Sequence, residues 1–187
     1  MKEALSQRVK VRLRLPDENW KRSAVLIPIY IKAGSYFIIF TRRSELVRYH
    51  KGEISFPGGG YHEEDGTLLK TALRESYEEI GLVPEAVTVL GELDDVATQG
   101  SHYLISPFVG SIGPDYQYRL SRFETTEVIQ IPLAALLEKG CRREEPRITI
   151  GSISTIPYVY SVGGKVIIGA TARILKQFLE IFIEAAR

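Results

Sequence analysis

The segment that most constrains the fold of this chain is the run from Phe56 to Leu82, FPGGGYHEEDGTLLKTALRESYEEIGL. It starts with three consecutive glycines, which reach backbone conformations that other residues resist. Apolar residues then recur at helical spacing, and Gly81 followed by Pro84 ends the pattern. The segment therefore predicts a glycine-rich loop that leads directly into an amphipathic helix. The apolar stripe of that helix comprises Leu68, Leu69, Ala72, Leu73 and Ile80.

The same helix carries a group of carboxylates. Glu75, Glu78 and Glu79 lie within five residues, directly after Arg74. Residues three and four apart share one helix face, so the three acids are predicted to be neighbours on an exposed face, away from the apolar stripe. A solvated face is the commoner interpretation of such a pattern. The alternative is a Mg²⁺ platform, because hard divalent cations prefer carboxylate oxygens and substrate phosphates, and nearby glycine N–H groups can bind an anion.

The rest of the chain predicts one α+β domain covering residues 1–187. The stretch HKGEISFPGGG is predicted to be a loop, PLAALLEKG a short helix, and the C-terminal residues an amphipathic helix. Residues 1–20 form an N-terminal extension, in which Leu5, Val9 and Leu13 fit a helical stripe while VKVRLRL alternates like a strand with a basic face. The predicted strand segments are SAVLIPIYIKAGSYFIIFTRR, AVTVLGEL, YLISPFVGSI, TEVIQIPL and TIPYVYSVGGKVIIG.

Composition excludes several classes of partner. A net charge of +1 gives no electrostatic footprint for nucleic acid or an anionic membrane, and no apolar run approaches the ~20 residues of a membrane span. Cys141 is the only cysteine, so no intrachain disulfide can form and a cytoplasmic location is predicted. The three histidines lack metal-ligand spacing. A homodimer is compatible with the sequence but is not specified by it.

The order of these features resembles the Nudix hydrolase signature, G-x5-E-x7-R-E-U-x-E-E-x-G-U, in which U is aliphatic. The run from Arg74 to Leu82 matches its core. The first Glu of the signature corresponds to Gly66, and Asp65 supplies an acid there only if one extra residue is allowed; Ser76 replaces an aliphatic residue. The resemblance implies the Nudix α/β/α sandwich, with a mixed sheet between helices.

A second pattern is similar to the coenzyme A pyrophosphatase branch of that family, L-L-T-x2-S-x3-R-x3-G-x3-F-P-G-G. Its spacing is kept throughout, and only the two leading leucines are replaced, by Ile39 and Phe40. The branch also tolerates the extra residue after the glycines. The matching positions are Thr41, Ser44, Arg48, Gly52, Phe56, Pro57, Gly58 and Gly59.

The resemblance implies roles for the helix residues. Glu75 and Glu79 are the expected main ligands of Mg²⁺ or Mn²⁺, and Glu78 is expected to bind metal or orient water. Arg74 is expected to hold a glutamate in place through charge-assisted hydrogen bonds. Nudix enzymes take their general base either from this helix or from a later loop, so Glu124 is a candidate base. Glu127 is a second candidate, and for both a surface role is an equal alternative.

Substrate contacts are expected just before and within the glycine run. Arg48 has the strongest claim because it occupies a motif position, and a guanidinium can clamp a phosphate with two hydrogen bonds. Arg42 is a weaker candidate, since a solvated role is at least as common, and the same holds for Arg43. Gly58 and Gly59 are expected to present their backbone to the substrate.

Three functions remain open on the sequence. The first is metal-dependent hydrolysis of coenzyme A or its derivatives at the pyrophosphate, giving adenosine 3′,5′-bisphosphate and 4′-phosphopantetheine. The second is hydrolysis of another nucleoside diphosphate derivative, such as ADP-ribose or a dinucleotide. The third is a binding or regulatory module without catalysis, which loss of helix carboxylates would favour; all three are present here.

Overall fold

The computed structural model describes residues 2–6, 8–46, 50–98, 100–150, 153–155 and 157–186. Its helices are α1 (Lys2–Ser6), α2 (Leu68–Ile80), α3 (Leu133–Leu137) and α4 (Gly169–Ala185). Its strands are β1 (Lys21–Lys32), β2 (Ser35–Arg43), β3 (Ile54–Ser55), β4 (Gly58–Gly60), β5 (Thr88–Glu92), β6 (Val96–Ala97), β7 (Tyr103–Ser111), β8 (Thr125–Pro132), β9 (Arg142–Glu144), β10 (Ile148–Ile150), β11 (Ile153–Thr155), β12 (Tyr158–Val162) and β13 (Lys165–Ile167).

A mixed sheet of eight strands forms the centre of the fold. The long strand β1 pairs in parallel with β7 and antiparallel with both β2 and β4. The hairpin between β1 and β2 turns at Ala33-Gly34, as the sequence predicts. Beyond them, β8 and β3 pair with β2, while β5 and β6 pair with β7. The predicted mixed sheet and α+β class are therefore confirmed.

Each face of the sheet has its own apolar core. On one face, Ala24, Leu26 and Tyr30 of β1 pack with the apolar stripe of α2. On the other face, Ile27 and Ile29 belong to the larger core that contains α4. Alternate residues of a strand point to opposite faces, so β1 separates the two cores by its own alternation. The sheet thus lies between helices, in the predicted sandwich.

Helix α2 has the ends that the sequence predicts. The Thr67 side chain accepts a hydrogen bond from the backbone N–H of Lys70, which caps the start. Gly81 adopts a left-handed φ of 69° at the end, where its N–H returns to the helix carbonyls. Ser76, which replaces the aliphatic residue of the signature, is fully buried and donates its Oγ–H to the Ala72 carbonyl at 2.7 Å. A small hydroxyl is accommodated here because it bonds within its own helix.

The glycine run corrects one expectation. It was predicted to be a loop, but Gly58–Gly60 form the strand β4, in register with Ser23, Ala24 and Val25 of β1. A Cβ on Gly58 would lie 2.3 Å from the Ala24 carbonyl oxygen, so only glycine allows this approach. The closeness of two backbones, rather than loop flexibility, explains the residue type.

The N-terminal extension follows neither prediction completely. It is helical from Lys2 to Ser6, with Leu5 buried, whereas residues 8–15 form no helix or strand. Their basic side chains face the protein: Arg12, for example, contacts Asp95 at 2.6 Å. The apolar side chains point outwards instead, with Val9 90% exposed. Residues 8–15 are therefore held by charge pairs, whereas Leu5 of α1 packs into the larger apolar core.

The hairpin β12–β13 turns at Gly163-Gly164. In the predicted C-terminal helix, α4, the side chains of Phe178, Leu179 and Ile181 are buried, whereas Ile183 is 38% exposed. Within the described part of the chain, no helix has both the length and the apolar character needed to cross a membrane.

Candidate active site

Arg74 is the centre of a network that joins α2 to the glycine strand. Its Nη2 donates to the Gly60 carbonyl at 3.0 Å, and its Nη1 donates to Glu75 Oε1 at 2.9 Å and to Glu78 Oε2 at 3.0 Å. One guanidinium therefore orients two of the three helix carboxylates and fixes the strand beside them.

Asp65 supplies the opposite half of this network. It accepts from Arg74 Nε at 2.7 Å and from Arg74 Nη2 at 3.1 Å, in the two-pronged geometry that guanidinium and carboxylate favour. Thr71 Oγ1 and the backbone N–H of His62 also donate to it. The Arg74 hydrogen bond, the largest cause, holds the pKa of Asp65 well below its usual range. Asp65, the irregular position of the signature, thus serves to anchor Arg74.

Glu79 is the most buried of the helix acids, with 5% of its surface exposed. The backbone N–H of Gly58 donates to its carboxylate, but the buried Oε2 has no hydrogen-bond partner among the described residues. Burial raises the pKa of Glu79 to about 8, against the lowering effect of the positive charge on Arg43. The carboxylates of Glu75 and Glu124 raise it further.

Glu75 lies directly against the glycine strand. A Cβ on Gly59 would lie 2.4 to 2.6 Å from the carboxylate atoms of Glu75. The Glu75 carboxylate therefore occupies the space that a side chain at position 59 would fill. Burial is the largest cause that raises the pKa of Glu75, and Arg74 opposes it. Gly58 and Gly59, expected to face the substrate, instead contact Glu79 and Glu75; their contact with substrate stays a prediction.

The structure brings the three helix acids together but corrects the expected exposed face. The side chain of Glu78 is 49% exposed and that of Glu75 15%, whereas Glu79 is buried beneath β4. The apolar stripe and the acids were predicted to occupy separate faces. The acidic face is in fact partly covered, because the glycine strand packs on it.

The donor set fits a hard divalent cation. It offers the oxygens of three carboxylates, including the unpaired buried Oε2 of Glu79, in a region where burial and mutual repulsion oppose negative charge. Among the described residues, no three acidic, histidine or cysteine side chains already converge as a metal cage. Arg74 pairs with Oε1 of Glu75 and Oε2 of Glu78, so the second oxygen of each of these carboxylates is not used by Arg74.

The loop before β8 carries Glu124 to this cluster. Glu124 is exposed, and its charge raises the pKa of both Glu75 and Glu79. The loop is tied to α2 because the Ser121 N–H donates to the Glu79 carbonyl at 2.9 Å. It is tied to β2 because the Ser44 N–H donates to the Glu124 carbonyl at 2.8 Å. Of the two candidate loop acids, Glu124 is the one whose charge reaches the cluster.

Glu127 has a different environment, which it shares with Arg42. Arg42 Nε donates to Glu127 Oε2 at 3.0 Å and Arg42 Nη1 to the Gly52 carbonyl at 3.2 Å. A substrate role for Arg42 stays a prediction. Arg48, the strongest sequence candidate for a phosphate ligand, lies outside the described residues.

Arg43 is the basic residue that sequence reasoning undervalued. It lies at an irregularity in the pairing of β2 with β8, where a bulge redirects side chains. Its charge acts on Glu79, and its buried Nε–H has no hydrogen-bond partner within the described part of the chain. An unused guanidinium donor beside buried carboxylates suits a substrate phosphate. The sequence signal was its position one residue before Ser44 of the upstream motif.

The other described residues of the upstream motif shape the chain around the site. Ser44 Oγ accepts from the Leu46 N–H at 3.1 Å, and Thr41 Oγ1 donates to the Ser55 carbonyl at 3.3 Å. Gly52 takes a left-handed φ of 68°, and the ring of Phe56 stacks on Phe40 with centroids 4.7 Å apart. The motif therefore fixes the path from β2 to the glycine strand.

Comparison with curated proteins gives relatives that are named as Nudix hydrolases. Proteins named uncharacterized Nudix hydrolase NudL from Klebsiella pneumoniae and Escherichia coli are 40% and 39% identical over 122 residues, which is 65% of this chain. The aligned region spans 62% of the length of these relatives.

Solved structures show the same fold at low identity. A MutT/nudix family protein from Enterococcus faecalis superposes with a TM-score of 0.60 and 15% identity, over 91% of this chain and 65% of that one. An Ap4A hydrolase from C. elegans gives a TM-score of 0.52 and 18% identity, over 61% of this chain and 81% of that one. Residues 20–139, which contain the glycine strand, helix α2 and the Glu124 loop, match the family described as NUDIX domain. The chain belongs to the Nudix family.

Proposed function

We propose that this chain hydrolyses the pyrophosphate bond of a nucleoside diphosphate derivative with the help of Mg²⁺ or Mn²⁺, and that coenzyme A or its derivatives are the substrate. The observation that carries the reaction type is the carboxylate cluster of α2, in which Glu79 keeps a buried oxygen unpaired beside Glu75. A bound divalent cation neutralises the charge on the leaving phosphate and lowers the pKa of a bound water.

The chain supplies the positioning groups. Glu75 and Glu79 are the proposed main metal ligands, and Glu78, the exposed member, binds metal or orients the attacking water. Arg74 holds Glu75 and Glu78 in place while Asp65 holds Arg74. Glu124 is the proposed loop base, because its charge already acts on the cluster.

Charge balance supports a phosphate contact for Arg43. Burying the leaving group beside three glutamates needs positive charge from the protein as well as from the metal. The Nε–H of Arg43 makes no hydrogen bond among the described residues and the charge of Arg43 acts on Glu79, which supports a contact with a substrate phosphate. Arg43→Lys keeps the charge but loses the planar donors, so we expect kcat/KM to fall by about tenfold or more.

The choice of coenzyme A is supported by the upstream motif. Coenzyme A differs from ADP-ribose by its 3′-phosphate and its pantetheine arm, so groups outside α2 must distinguish them. Arg48 belongs to that motif and is the proposed clamp for a substrate phosphate. Arg48→Ala should lower kcat/KM for coenzyme A by roughly 10–100-fold and change residual ADP-ribose hydrolysis much less.

One assay decides among the candidates. Purified protein is incubated with Mg²⁺ or Mn²⁺ and coenzyme A, ADP-ribose, NADH or a nucleoside triphosphate, and products are identified by mass. Adenosine 3′,5′-bisphosphate with 4′-phosphopantetheine supports the proposal. Preferred cleavage of another substrate moves the assignment to a different Nudix reaction, and no cleavage of any favours a binding module. We also propose a cytoplasmic location, because the single cysteine allows no intrachain disulfide. Gel filtration measures whether the chain forms the homodimer that its sequence permits.

A further inference from the structure

An open surface cavity of about 610 Å³ lies on the side of the sheet that carries α4, opposite the side on which α2 packs. It is lined by the N-terminal extension, the segment 94–97, strand β12 and helix α4. The polar and aromatic residues around it include Arg8, Asp94, Asp95, Tyr158, Arg173 and Lys176. None of the residues assigned to the candidate active site lines it. Its volume is in the range of small-molecule sites.

The acids of this cavity are already used within the protein. Asp95 Oδ1 accepts from Arg12 at 2.6 Å and from Ser106 Oγ at 2.7 Å, and its Oδ2 accepts from the Leu13 N–H at 3.0 Å. Asp94 accepts from the Val11 N–H at 2.9 Å and from Arg8 Nη2 at 2.5 Å. These carboxylates therefore hold the N-terminal extension in place and have little capacity left to bind a cation.

The guanidinium groups, in contrast, keep donors in reserve. Arg8 Nη1 and Arg173 Nε are both buried, and neither has a hydrogen-bond partner among the residues that the structure describes. Arg173 donates from Nη2 to the Ala97 carbonyl, and no described carboxylate pairs with it. Burial lowers the pKa of Arg173, which shows that its charge lies in a poorly solvated place. Buried charged donors without partners are costly, and an oxyanion is the group that satisfies them.

The remaining lining adds an apolar and aromatic component. Leu13, Val96 and Ala97 contribute apolar surface, and the half-buried ring of Tyr158 lies beneath Lys176, whose Nζ is 5.4 Å from the ring centroid. A ligand with a flat ring and an attached anion would contact both kinds of surface. Lys176 adds a third positive charge, although Glu180 pairs with it at 2.6 Å.

We propose that this cavity is a second ligand site, separate from the carboxylate cluster, that binds a phosphate monoester carried on a ring, as in a nucleoside monophosphate. Arg8 and Arg173 bind the phosphate, and Tyr158 with the neighbouring apolar side chains contacts the ring. The ligand bridges the N-terminal extension and α4, so its binding also fastens that extension.

The test is calorimetric titration of the full chain with AMP in EDTA. Without a divalent cation the carboxylates of α2 repel phosphate, so the heat reports on the cavity. We expect a Kd of ~1 mM or tighter for the wild type. Arg8→Ala and Arg173→Lys should each weaken AMP by about tenfold or more, because both remove a guanidinium donor. Arg143→Ala is the matched control, since this exposed arginine lies outside the cavity, and its affinity should equal that of the wild type.

Two further measurements separate the sources of binding. Inorganic phosphate should compete with AMP, and adenosine should bind more weakly than AMP. The proposal is overturned by the absence of AMP binding, by equal affinities in wild type and Arg8→Ala, or by benzoate or adenosine binding as tightly as AMP. Circular dichroism verifies that each variant is folded. If Arg173→Lys does not fold, the affinity of Arg8→Ala for AMP decides the proposal alone.

Discussion

Replacing the buried Glu79 with glutamine in metal-free buffer should make the protein more stable at alkaline pH. In the folded protein, burial raises the pKa of Glu79 from 4.5 to about 8. The folded state therefore holds a proton that the unfolded chain releases, and the free energy of unfolding decreases as the pH rises between these two values. Below about pH 4.5 Glu79 is protonated in both states and costs nothing; above about pH 8 its full charge is buried.

The magnitude follows from that change in pKa. At ~1.4 kcal/mol per pKa unit, the rise corresponds to an upper limit of roughly 4 to 5 kcal/mol. Relaxation of the site around the charged form reduces it, so we expect Glu79→Gln to exceed the wild type by about 2–4 kcal/mol at pH 9. At pH 4.5 the two proteins should be nearly equal, since glutamine resembles a protonated glutamate in shape and keeps an acceptor for the Gly58 N–H.

Urea denaturation in EDTA at several pH values measures this difference. Glu78→Gln is the matched control, because it makes the same change in net charge at a side chain that is 49% exposed, and it should show little of the effect. Adding Mg²⁺ at pH 9 should narrow this difference, because it stabilises the wild type by about 2.7 kcal/mol at a hundred times its Kd and the variant by less. If the free energies of unfolding of the wild type and of Glu79→Gln changed in parallel with pH, the buried charge assigned to Glu79 would be refuted.

Three further perturbations test the rest of the site. Gly59→Ala should displace the Glu75 carboxylate and so lower kcat by about tenfold or more. Gly60→Ala should retain activity, because its Cβ would meet nothing within 4 Å. Equal activities of the two variants would contradict the packing of Glu75 against Gly59. Asp65→Asn should lower the free energy of unfolding by about 1–3 kcal/mol at neutral pH, because the charged hydrogen bonds to Arg74 are weakened. Thermal unfolding should show this difference shrinking as the pH falls below ~4. EDTA should abolish hydrolysis and Mg²⁺ or Mn²⁺ should restore it; full turnover in metal-free buffer rules out the metal mechanism.

Local sequence patterns predicted helix α2 well because its determinants are local. The apolar spacing, the Thr67 cap and the left-handed Gly81 all act within a few residues of one another. The same locality explains what was missed. Helical spacing puts Glu75 and Glu79 near each other, but it does not reveal that the glycine strand covers them, since that strand is positioned by β1.

Two other differences have the same origin in long-range contacts. Arg42 and Arg43 are adjacent in β2, so their side chains point to opposite faces of the sheet: Arg42 contacts Glu127, and the charge of Arg43 acts on Glu79. Sequence alone did not show which of the two faces the carboxylate cluster. The alternation in residues 8–15 was recognised, but not its direction. Arg8, Lys10 and Arg12 face the protein because they pair with acidic side chains of the segment 92–95, which is more than eighty residues away in the sequence.

The tie between the Glu124 loop and α2 limits how relatives of this chain can diverge. The Arg119 and Ser121 N–H groups occupy the carbonyls of Ile80 and Glu79, so the spacing from Arg119 to Glu124 cannot change without moving a proposed ligand. The exposed turn at 113–115 is held only through Asp115, whose side chain pairs with the exposed Lys32 and whose carbonyl accepts from Gln117, as far as the described residues show. We expect insertions between β7 and β8 to accumulate at that turn, while the spacing from Arg119 to Glu124 stays fixed.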